Sequence, residues 1–183
     1  GATSVSATIL LAVGVVMSWS VGREFTDGTI VGLFAIPPAL RTIAAAKMVV
    51  TLFWAVLLGA GEAALLMTAG LLLGLGAAGA AGCYTALMLV AALLSASVLP
   101  VMWAATWWRG YLAGIGLTLA ILVVTNLAAG FGLGSYVPWS IPIVWASHQT
   151  EVSTPLLATP VMTAVIGAWI TYRSWDQLQL GAD

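Results

Sequence analysis

Residues 22–48, GREFTDGTIVGLFAIPPALRTIAAAKM, separate two long apolar runs and hold three of the five basic residues of the chain, Arg23, Arg41 and Lys47. Arg109 lies between two later runs, and Arg173 follows the last. A membrane span takes roughly 20 mostly apolar residues. Drawn as spans, the runs at about 3–21, 44–73, 82–107, 111–132 and 156–172 put every basic residue on one side. Lys/Arg bias in loops sets orientation, so that side is predicted to be cytoplasmic, with the C-terminus. Trp19, Trp107, Trp108, Trp169 and Trp175 fall near the same ends, and Trp139 and Trp145 in the outer segment, as an interfacial aromatic belt would.

Composition supports this reading. Charged residues make up 6% of the 183, apolar residues 62%, and mean hydropathy is +1.10, whereas soluble chains carry about a quarter charged residues. The expected fold class is all-α, a polytopic transmembrane helix bundle forming one domain over 1–183. A net charge of −1 leaves no electrostatic footprint for nucleic acid. The single cysteine, Cys83, excludes an internal disulfide and a multi-cysteine metal site, and is expected to pack as a small apolar side chain. The apolar run begins right after Gly1 with no basic segment before it, which argues against a signal peptide. A further span ahead of it would give six, with both ends cytoplasmic.

Within the segment 22–43, Glu24 and Asp27 suit the positive first turn of a helix. Ile30, Val31, Leu33 and Phe34 would lay that helix along the membrane surface. Pro37-Pro38 would stop it, since proline lacks the amide donor and restricts its predecessor. Arg41 and Lys47 are expected to anchor the next span at the headgroups.

The pattern R-E-F-x-x-G-T-I-x-x-L-F-A-x-P over 23–37, then Arg41 and Ala46-Lys47 at the mouth of a span, resembles the ABC-2 type permeases of ABC exporters. The resemblance covers nearly the whole chain, with the five spans matching spans two to six. The family's N-terminal amphipathic helix and first span are not present. The resemblance implies a cytoplasmic coupling helix carrying Arg23, Glu24, Phe25, Asp27, Gly28 and Thr29 and contacting a separate ATPase. It implies two copies of that ATPase, which holds the ATP and Mg, and a second permease chain, identical or related. It implies the inner (cytoplasmic) membrane and outward movement of an amphipathic drug, peptide antibiotic or lipid-like cargo, as in antibiotic, lantibiotic-type or multidrug resistance. The runner-up is an ATP-independent secondary carrier or a scaffold subunit of a membrane complex. The outer segment 134–147, with Pro138, Trp139 and Pro142, matches the family's short re-entrant helices. It is too short to span and too apolar for a free loop, and irregular backbone at membrane depth needs protein or a cavity around it.

The chain lacks the G-x-x-x-x-G-K-[ST] phosphate loop, so it does not hydrolyse ATP itself. Neither a paired-carboxylate motif nor a metal-hydrolase spacing is visible, so no catalytic or metal-binding residue and no cofactor is assigned. Glu62 is the one ionisable residue deep in a span, and Asn126 lies at a similar depth on another. Intramembrane carboxylates usually face a bundle interior or cavity, which makes both candidates for a translocation path. The plainer reading is a protonated Glu62 bonded to Asn126, Thr125 or a backbone carbonyl. His148 and Glu151 in the outer loop are a weaker candidate for a gate or metal contact. Pro100 should bend the third span, Gly59, Gly61, Gly70 and Gly74 read as helix-packing positions, and 74–82 (GLGAAGAAG) reads as a short outer turn.

Overall fold

The computed structural model describes residues 2–74, 76–147 and 153–178. In hydrocarbon every backbone amide and carbonyl must be bonded within the segment, so uninterrupted runs of Ala, Leu, Val and Gly become helices. The elements are α1 (Ala2–Thr26), α2 (Ile30–Leu33), α3 (Leu40–Leu72), α4 (Ala77–Ser97), α5 (Pro100–Trp107), α6 (Tyr111–Gly130), α7 (Ile141–Ser147) and α8 (Ala158–Asp176). Short 3-10 turns at Gly134–Tyr136 and Thr154–Leu157 complete the order. Five stretches are long and apolar enough to cross a membrane: Ser6–Thr26, Leu40–Leu72, Gly79–Trp107, Tyr111–Gly130 and Pro155–Asp176. No strand occurs among the described residues.

Two helices occupy the centre. α1 packs against α3, α4, α5 and α6, and α5 packs against α1, α6 and α8. Leu10, Met17, Val21, Val98, Val101 and Met102 belong to the buried core around them. Close approach depends on glycine where there is no room for a side chain. A methyl group at Gly22 would overlap the backbone of Tyr111, and one at Gly167 would lie 2.5 Å from the Pro100 ring. Gly59 faces Ala91 in the same way across α3 and α4, whereas Gly61 faces open space, so only the first of that pair is a packing position. Small residues are what let membrane helices approach this closely.

The third span is broken. Leu99 N–H donates to Ala96 O and Val101 N–H to Val98 O, a tightened turn around Pro100, which starts α5. Pro100 offers no amide and Met102 N–H turns to Leu99 O. The Ser97 carbonyl is therefore left without its helical donor. Trp139, from the segment before α7, supplies one: its indole nitrogen donates to Ser97 O at 2.9 Å.

Three expectations change. The outer turn is shorter than 74–82, because Ala77 already begins α4, with Gly74 at φ +92° making the reversal. Trp175 is not interfacial; it is fully buried and donates its indole N–H to Thr106 Oγ1 at 2.9 Å. Cys83 is exposed on α4 rather than packed.

Candidate functional site

α1 ends, α3 begins, α5 ends, α6 begins and α8 ends at one pole of the bundle, which gathers all five basic residues there. Arg23 stacks over the Trp19 ring at 4.5 Å, and Arg173 over Trp169 at 5.7 Å. Both are i, i+4 pairs in the last turns of their helices, where a base also offsets the negative helix end.

Most of the 23–29 motif differs from a freestanding docking helix. Arg23, Glu24 and Phe25 form the last turn of α1 rather than the first turn of a new helix. Glu24 is buried. Its carboxylate receives Lys47 Nζ at 2.7 Å and the Thr29 hydroxyl at 2.9 Å, and the same Nζ also donates to Ser20 O at 2.7 Å. Lys47 therefore reaches inward instead of anchoring at headgroups. Burial forces this: in an apolar bundle a charge is tolerated when it is paired and hydrogen-bonded. Phe25 is likewise turned inward, edge-on to Trp175 at 6.2 Å. Arg41 is exposed and pairs with Asp176 at 3.2 Å, tying the start of α3 to the end of α8.

Asp27, Gly28 and Thr29 make the reversal, with Gly28 at φ +69°, a conformation glycine adopts without a Cβ penalty. The helix that follows is a single turn, α2, with Ile30 and Leu33 against the core and Val31 outward. Val31 and Ile36 are 58% and 44% exposed, so this loop offers two apolar side chains beside Asp27. The exposed part of the motif is the turn Asp27–Thr29 with Val31 of α2. The preceding residues fasten that turn to α1 and α3.

Glu62 and Asn126 are not brought together. Glu62 lines a groove between α1 and α3, a cavity of about 130 Å³, with Ile9, Val13, Trp54, Leu58 and Gly59. Asn126 lines a smaller cleft on the other side of α1, between α6 and α7, and its Nδ2 donates to Leu122 O at 2.8 Å. Thr125 faces that same cleft, its hydroxyl buried without a hydrogen-bond partner among the described residues. α1 thus stands between the two candidate polar groups.

At the opposite pole, Pro142 is buried and Ser140 Oγ donates to Gly134 O at 2.7 Å and Val137 O at 3.0 Å. These bonds, with Trp139 to Ser97, fold the proline-rich segment into short helices held against the bundle. The His148 and Glu151 pair lies outside the described residues. Sequence reasoning missed Thr106, Ser97 and the Glu24–Lys47 pairing. The only signal for the last was two opposite charges flanking a proline-stopped loop.

A family model, ABC-2 family transporter protein, matches residues 2–125, which hold the whole 22–48 segment and Glu62. No curated protein and no solved structure matches the chain.

Proposed function

The chain belongs to the ABC-2 transporter family, and on that premise we propose that it is the permease subunit of an exporter driven by a separate ATPase. The observation that carries this reading is the exposed turn Asp27–Thr29 with Val31 and Ile36, fastened through Glu24 and Lys47 to two spans at once. A partner that moved this turn would move α1 and α3 with it, because the ion pair and the packing of Ile30 and Leu33 leave little slack. The ATPase would hold ATP and Mg, and two ATPase copies would serve two permease chains. Nucleotide binding would shift the balance of inward- and outward-open states through its differential affinity for them. The basic pole would then be cytoplasmic, in the inner membrane, and the cargo amphipathic.

The test is affinity capture of the full-length protein from its native membrane in mild detergent, followed by mass spectrometry. An ATPase subunit should be recovered with the wild type and depleted with Asp27→Lys or Val31→Asp. Recovery of no ATPase, or equal recovery with both variants, would overturn the reading.

A further inference from the structure

The groove between α1 and α3 combines two features that select a ligand class. Its walls are mostly apolar, with Ile9, Val13, Val16 and Leu58, and Trp54 toward the basic pole; Thr8 and Thr51 also line it. Near the other end stands one carboxylate, Glu62. No hydrogen bond or ion pair reaches it among the described residues. It lies about 15 residues from Lys47, roughly 22 Å along α3, inside the membrane-crossing stretch Leu40–Leu72.

Carboxylates within membrane spans are rare, and they usually face a partner or a cavity. An inorganic cation does not fit: hard metal ions take six or more oxygens, and the described residues contain no group of three His, Cys, Asp or Glu that could hold one. A single carboxylate in a mostly apolar groove complements an organic ammonium group attached to an apolar chain. About 130 Å³ is close to the volume of an apolar cavity that takes benzene, and suits a small ammonium head with adjoining methylenes.

We propose that Glu62 and this groove bind cationic amphiphiles, with the ammonium on the carboxylate and the chain along Gly59, Leu58 and Trp54. As a statement about cargo, this rests on the permease reading.

The test is equilibrium binding of dodecyltrimethylammonium to the full chain in phosphatidylcholine nanodiscs, without nucleotide or ATPase, with empty nanodiscs subtracted. Uncharged dodecanol is the comparison. Glu62→Gln should weaken binding of the cation at least tenfold, leave dodecanol unchanged, and be rescued by Glu62→Asp. Equal cation affinity in wild type and Glu62→Gln would overturn the proposal, as would an equal loss for dodecanol. Because no ATPase is present, failure to capture an ATPase would leave this result standing, and failure here would leave the ATPase assignment standing.

Discussion

Trp139 donates its indole proton to the carbonyl of Ser97, 42 residues away, across the break that Pro100 puts in the third span. The bond joins the proline-rich segment at one pole to the interior of the bundle. It also satisfies a carbonyl that the broken helix leaves open. Gly167 of α8 packs on the same proline, so three elements meet at this defect.

Trp139→Phe keeps an aromatic ring and removes the donor. The Ser97 carbonyl would then be buried and unpaired, at a cost of about 1–3 kcal/mol. Thermal unfolding in detergent should show a lowered midpoint. Trp139→Phe with an unchanged midpoint would mean that the bond contributes nothing to holding the segment.

Gly167→Ala should destabilise the bundle by about 1–3 kcal/mol, because the new methyl group would overlap the Pro100 ring and backbone nitrogen at 2.5–2.6 Å. Gly61→Ala is the matched control. It meets nothing within 4 Å and should be neutral or slightly stabilising, since alanine is the better helix former. Equal behaviour of the two variants in the same melt would contradict the close crossing of α5 and α8.

Glu24 and Lys47 have side chains 12% and 20% exposed, so removing one partner strands a largely buried charge. Glu24→Gln and Lys47→Met should each cost about 2–3 kcal/mol, below the roughly 3–5 kcal/mol of a broken fully buried pair, because both side chains keep some exposure. The double substitution should recover much of that loss. A double-mutant cycle with no coupling would argue against the pair. Glu24→Lys is consequently a poor probe of partner docking, because it places a second ammonium beside Lys47.

Asp27 is exposed and has no ion pair among the described residues. Asp27→Lys should leave the stability within about 0.5 kcal/mol of wild type, as for most surface changes, with little shift of the unfolding midpoint. If the proposed function is right, the same variant should reduce ATPase capture several-fold. A large loss of stability would place Asp27 in the fold rather than at the partner surface.

Trp175→Phe tests the buried end of α8. It removes the bond to Thr106 Oγ1, leaves that hydroxyl without its donor, and alters the edge contact with Phe25. A loss of about 1–3 kcal/mol is expected in detergent melts. An interfacial Trp175 would tolerate the change, so a neutral result would restore the belt assignment.

The sequence by itself determined what local chemistry dictates. Runs of apolar residues fixed five helical spans, Pro100 fixed the break in the third, and the bases at 23, 41, 47, 109 and 173 fixed a single charged pole. Each follows from hydropathy, from proline's missing amide, or from where the chain turns. The family pattern over 23–37 was likewise a linear signal.

Only the tertiary structure decided which faces meet. These helices are apolar all round, so no polar stripe marks the packed side as it would in a soluble protein. Nothing in the sequence therefore told that Gly59 faces a neighbour and Gly61 does not, or that Trp175 points inward while Trp169 points out. The same ambiguity placed Glu62 beside Asn126 by depth alone, whereas α1 separates them. It also left Glu24 looking like a surface charge, until the fold brought Lys47 within 2.7 Å of it.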